Sequence, residues 1–129
     1  MRVVGYVRES RDPDDVRPAF AQQEELRRWA GDHGHDLVAI CQDRRASGHP
    51  LDRDGYLAAL GVLASGGADA IAVPGVGTLS DDHIVQEILL WDLRARGARV
   101  LSTIAEDADI VGDEDPTVTR MLIRDVLAR

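Results

Sequence analysis

Lysine is absent from this sequence: all 15 basic side chains are arginine. Cysteine is nearly absent. The single Cys41 excludes an internal disulfide, and its place in an apolar run predicts a buried, inert thiol. Aromatic residues are few, at 4% of the chain. No apolar run approaches the roughly 18 residues that span a membrane, and the start of the chain lacks the charged-then-apolar pattern of a secretory signal. These absences lead to the expectation of a cytoplasmic protein without a membrane partner. Positive charge is also in deficit, with a formal net charge of −8. Residues 1–60 carry 9 arginines against 11 acids, and residues 61–129 carry 6 against 12. DNA affinity rests on neutralising phosphates, so this balance argues against the chain gripping DNA by itself. It leaves room for a local basic patch around Arg8, Arg44, Arg45 and Arg53. At 129 residues the chain is expected to form one domain over 1–129, with no linker or repeat and no DNA-binding module.

What is present is an alternation of strand and helix patterns. Arg2 to Val7 reads as a buried parallel strand. Pro18 opens a helix whose apolar stripe is Phe20, Leu26, Trp29 and Ala30. Residues 36–41 form a second strand, and Asp52 caps a helix over 53–64 that buries Leu57, Leu60 and Leu63 or Ala64. Residues 68–73 form a third strand. Ser80 caps the next helix, with Asp81 and Asp82 in its first turn and with Ile84, Ile88, Leu89, Trp91 and Leu93 buried. Residues 98–103 form a fourth strand, followed by an acidic loop over 105–115 and a last helix striped by Val118, Met121, Leu122 and Val126. The expected fold class is α/β, with a mainly parallel four-stranded sheet and helices on both faces.

Ligands and chemistry in open α/β sheets collect at the carboxyl ends of strands. Arg8 and Ser10 stand there, two apart. A guanidinium beside a hydroxyl suits phosphate, because arginine presents a planar fork of donors. A turn or helix-cap role for Ser10 is the ordinary alternative.

Several segments in order carry a resemblance. Gly5-Tyr6-Val7-Arg8-Glu9-Ser10, then Gln22 four before Leu26, then Asp43, Ser47-Gly48 and Arg53-Asp54-Gly55-Tyr56, then residues 68–73 and 97–102, together resemble the catalytic domain of the serine recombinases, the resolvase/invertase family. The resemblance implies that Ser10 is a nucleophile attacking a DNA phosphodiester to form a 5′-phosphoserine link. It implies that Arg8 and Arg53 clamp the phosphate, with Gln22 and Asp69 in support. For Asp69, capping or bracing is the alternative. It implies DNA as a partner, a homodimer through the C-terminal helix, and no cofactor or metal. One segment departs. Where the family typically has Asp-Arg-Leu-Ser-Arg, this chain has Gly77-Thr78-Leu79-Ser80-Asp81. Both arginines are missing, and Asp81 would repel a phosphate. The chain also ends at Arg129, early in the segment where the family continues into a long dimerising helix.

The remaining candidates are weaker. His33, His35, His49 and His83 show no metal-ligand spacing. Gly75-Val76-Gly77 lacks the third glycine of a nucleotide loop. The acids between Glu106 and Asp115 lack calcium-loop spacing. Three functions remain open: a degenerate serine-recombinase domain kept for interaction with an unknown protein or for regulation; an active strand-cleaving subunit whose missing arginines come from another subunit; and a flavodoxin-like module holding an anion on Arg8, Ser10 and Arg53.

Overall fold

The structure, a computed structural model, describes residues 1–9, 17–44 and 50–111. Four strands are separated by helices: β1 (Arg2–Arg8), α1 (Ala19–Asp32), β2 (Asp36–Asp43), α2 (Asp54–Ala64), β3 (Ala70–Val73), α3 (His83–Ala95) and β4 (Arg99–Ser102). A single turn of helix, α4 (Ala108–Val111), follows. It stands where an acidic loop was expected from the sequence. The last expected helix, with Val118, Met121, Leu122 and Val126, lies outside the described residues.

All strand pairs are parallel, in the order β2-β1-β3-β4. The expected fold class is therefore the one observed. Strand alternation divides the core between two faces. Val4, Tyr6, Ile71, Val73 and Val100 pack with α2 and α3. Val3, Val7, Ala70 and Ala72 pack with α1. Gly5 lets α1 close on the sheet, since a Cβ there would stand 2.9 Å from a Leu26 methyl. The chain leaves β1 in opposite directions, to β2 on one side and, after α2, to β3 on the other. The topological switch point thus falls between the carboxyl ends of β1 and β3, where this class of sheet opens a crevice.

The helices bury part of each expected stripe, including Leu26, Ala30, Leu60, Leu89 and Leu93, and turn other members outward. On α1 the buried positions are Ala19, Gln22, Leu26 and Ala30, while Phe20 is 72% exposed. On α2, Tyr56, Ala59 and Leu60 are buried and Leu57 is exposed. On α3 the phase is set by Val85, Leu89 and Leu93, with Leu90 beside them. Ile84 and Ile88 lie one position off that stripe, roughly 100° around the helix, and face outward; Ile84 is 70% exposed. Cys41 is half-buried rather than buried. Burial, with the nearby Asp43 charge, still pushes its thiol pKa up, which agrees with a quiet thiol. Among the described residues, no helix is long and apolar enough to cross a membrane.

Candidate active site

The carboxyl edge of the sheet is built from three connections. The first is the end of β1. Continuing the alternation of Val4 and Tyr6, Arg8 points to the face of α2 and α3, and it is only 6% exposed. Its backbone groups face the β3 side, but β3 pairs only with Val3, Val4 and Gly5. Gln22 fills the gap. Its side-chain oxygen accepts from the Arg8 amide at 3.2 Å, and its side-chain nitrogen donates to the Arg8 carbonyl at 2.9 Å. The same nitrogen donates to the Arg17 carbonyl at 3.0 Å. A buried glutamine in the middle of an apolar helix stripe is thereby satisfied, and it fixes the strand end that carries Arg8.

The second connection runs from β2 to α2. Asp43, the last residue of β2, is buried. Its carboxylate accepts from the Gly55 amide at 2.8 Å, the Tyr56 amide at 3.1 Å and the Tyr6 hydroxyl at 2.7 Å. It therefore caps α2 from a neighbouring strand, and its charge sits at the positive end of the helix. Asp52, expected as the cap, instead ends a 3-10 turn over Pro50–Asp52. Arg53 occupies the cap position, with no side-chain cap bond of its own. Gly55 is required by the close approach: a Cβ would stand 2.5 Å from the Gln42 carbonyl oxygen. Burial raises the Tyr6 pKa, reinforced by the Asp43 hydrogen bond and charge and opposed by the Arg53 guanidinium. Tyr56 is raised likewise, by burial and by its 2.6 Å hydrogen bond to Asp92. Both tyrosines stay neutral well beyond the physiological range.

The third connection runs from β3 to α3 through a 3-10 turn, Val76–Thr78. Its backbone receives both arginines: Arg8 Nε donates to the Thr78 carbonyl at 2.9 Å, and Arg53 Nη1 donates to the Leu79 carbonyl. Among the described residues, Arg53 Nε is buried with no hydrogen-bond acceptor in reach. Asp81 forms an ion pair with Arg8, Nη2 to Oδ1 at 3.2 Å. The cap of α3 is Asp82, which accepts from the Ile84 and Val85 amides. Ser80, expected in that role, lies two residues earlier. It is buried, and its hydroxyl accepts from the Asp82 amide at 3.1 Å. Asp81 and Asp82 therefore precede the helix rather than occupying its first turn.

A cleft of about 350 Å³ opens at this edge, lined by Arg8, Arg17, Gln22, Thr78, Ser80 and Asp81 among others. Arg17 stands in no sequence motif. It donates to the Pro74 carbonyl at 3.1 Å and pairs with Glu25. Of the residues expected at the site, Arg8, Gln22 and Arg53 meet at the carboxyl edge. Ser10 lies outside the described residues, as do Ser47, Gly48 and Arg45. Asp69 does not join them. It precedes β3 at the opposite, amino edge, where its carboxylate pairs with Arg2 at 3.4 Å and its amide donates to the Arg2 carbonyl at 2.9 Å. A residue just before a parallel strand cannot reach the edge just after it, so bracing describes Asp69 here. Among the described residues the expected basic patch is not formed as an exposed cluster: Arg8 is buried, Arg53 is half-buried and Arg44 is exposed, while Arg45 lies outside the described residues.

The sequence matches the family described as the resolvase N-terminal domain over residues 3–127. The chain belongs to that family. No curated protein matches it significantly. Two solved structures show the same fold. One is the C-terminal catalytic domain of ISC1926 TnpA, an IS607-like serine recombinase, at 20% identity and a TM-score of 0.63, covering 99% of this chain and 80% of that one. The other is the N-terminal catalytic domain of TP901-1 integrase, at 16% identity and a TM-score of 0.67, covering 99% of this chain and 98% of that one. This resolvase-like domain thus carries the serine-recombinase fold, with Arg8 and Arg53 at the edge where the sheet topology opens a crevice.

Proposed function

We propose that this serine-recombinase domain is catalytically degenerate and is retained for protein interaction or regulation. One observation carries the reading. The segment Gly77-Thr78-Leu79-Ser80-Asp81 meets Arg8 and Arg53 with backbone carbonyls and a carboxylate, and it brings no cation of its own. Phosphoryl transfer depends on positioned positive charge around the phosphorus, and one catalytic arginine is worth about 10³–10⁵ in rate. A serine hydroxyl is a weak nucleophile without such help. With a net charge of −8, the chain alone binds duplex DNA weakly at physiological salt.

The second reading is an active strand-cleaving subunit. Ser10 is its nucleophile, Arg8 and Arg53 hold the phosphate, and the missing cations come from another copy joined through the C-terminal helix. It is favoured by the retention of Arg8 and Arg53 at one sheet edge. Incubation with supercoiled plasmid, followed by rapid denaturation, separates the two. The degenerate domain leaves no protein–DNA adduct. An adduct that disappears in Ser10→Ala would establish the active subunit instead.

A further inference from the structure

Among the described residues, Asp81 is the one acid that both lines the cleft and contacts Arg8. Each of the three nitrogens of the Arg8 guanidinium donates to protein. Nε goes to the Thr78 carbonyl at 2.9 Å, Nη1 to the Glu9 carbonyl at 3.5 Å and Nη2 to Asp81 at 3.2 Å. Two of these acceptors are neutral carbonyls; only Asp81 carries charge. The pair is lopsided in exposure, with the Arg8 side chain at 6% and Asp81 at 48%. A buried guanidinium needs a counter-ion, and here the counter-ion stands at the solvent side of the cleft, where a ligand would arrive. Asp81 is not needed to start α3, because Asp82 performs the capping.

We propose that Asp81 is the specificity-determining residue of this cleft: its carboxylate is a built-in anion seated on Arg8, and it excludes phosphate oxyanions from a site otherwise shaped to hold them. Arg8 and Arg17 both line the cleft. Arg17 is already paired with Glu25, so removing the Asp81 charge leaves Arg8 as the guanidinium whose remaining acceptors are the neutral Thr78 and Glu9 carbonyls. The buried Arg53 Nε, which has no acceptor among the described residues, is a further donor on the same sheet edge. Carboxylate and phosphate cannot share Arg8 Nη2, and their like charges repel at contact distance. The inference rests on reading this edge as a phosphate site whose chemistry has lapsed, but it concerns binding and requires no cleavage.

The test is titration of inorganic phosphate into the 15N-labelled full chain, following the arginine Nε–Hε signals. In the wild type the Arg8 signal stays unmoved through millimolar phosphate. In Asp81→Asn it shifts saturably, with affinity at least about tenfold above wild type. Asp81→Ser, which also lacks the charge, behaves the same way. Equal phosphate affinity in wild type and Asp81→Asn overturns the proposal. So does the absence of binding in both variants, and so does loss of folding in both, which would make Asp81 a structural residue. Plasmid cleavage is scored separately. An adduct formed by the wild type contradicts the degenerate reading, whereas the phosphate titration judges Asp81 alone.

Discussion

Two connections at the same sheet edge differ in what their side chains do. Between β2 and α2, side chains build the structure. Asp43 gathers two helix amides and a buried hydroxyl, and Gly55 admits the Gln42 carbonyl. Between β3 and α3, the arginines are received mainly by backbone. Thr78 and Leu79 accept them through carbonyls, which any residue supplies. A fold constrains the first kind of connection strongly and the side chains of the second weakly. That difference explains how the β3–α3 segment holds Thr78 and Asp81 where the family pattern has arginines, while Arg8 and Arg53 remain in place.

The comparison breaks most readily at Asp43. Asp43→Ala strands three buried donors and should destabilise the fold by about 3–4 kcal/mol, read as a fall in urea midpoint. A loss below about 1 kcal/mol would mean that the β2–α2 connection is no more demanding than its neighbour. Gln22→Ala comes next. It leaves the Arg8 amide and carbonyl without their partners and should cost about 2 kcal/mol, with fast hydrogen exchange appearing at the Arg8 amide. Gly55→Ala forces a Cβ against backbone and should cost about 1–3 kcal/mol; a neutral result would show that α2 can move away from β2 freely.

These sites differ in how far the sequence reveals them. The succession of strands and helices along the chain, the parallel sheet and the placing of Arg8 at its carboxyl edge were legible, because short β-branched runs alternate with helix patterns. Arg53 is placed there only by the family resemblance. The helix stripes were less legible. Phe20, Leu57 and Ile84 satisfy helical spacing but lie off the buried phase, which is set by tertiary packing rather than by apolar periodicity. The caps differ from the expected ones for a related reason. Asp52 and Ser80 stand at suitable sequence positions, yet α2 is capped from another strand and α3 by the next aspartate. Gln22 offered a signal in its polarity within an apolar stripe; Arg17 offered none. Asp69 shows the limit of a motif, because its neighbours in sequence match the family strand while its location is the opposite sheet edge.

Alkaline pH sharpens the comparison further. The folded Tyr6 and Tyr56 hydroxyls titrate above the ordinary tyrosine value of 10.0. The folded state therefore holds these protons longer than the unfolded chain. Stability is fully present below about pH 10 and falls as pH rises beyond it. Tyr6→Phe should flatten that fall; an unchanged slope would remove Tyr6 from the buried network around Asp43. The smallest effect is expected at the other connection. Asp81→Asn should cost about 1–2 kcal/mol, because the amide oxygen can still accept from Arg8 Nη2 while the buried guanidinium loses a charged partner that is itself half-exposed. A larger loss would erase the contrast between the two connections.

The central claim is that the β3–α3 connection has kept its fold and lost its chemistry. Covalent trapping tests it most directly. Wild type, Ser10→Ala and the double variant Thr78→Arg/Asp81→Arg are incubated with supercoiled plasmid, denatured, digested and analysed for nucleotide-linked peptides containing residue 10. The account predicts no adduct from the wild type or from Ser10→Ala, and an adduct in the double variant if residues 78 and 81 alone carry the defect. A nucleotide-linked Ser10 peptide from the wild type, absent in Ser10→Ala, would contradict it.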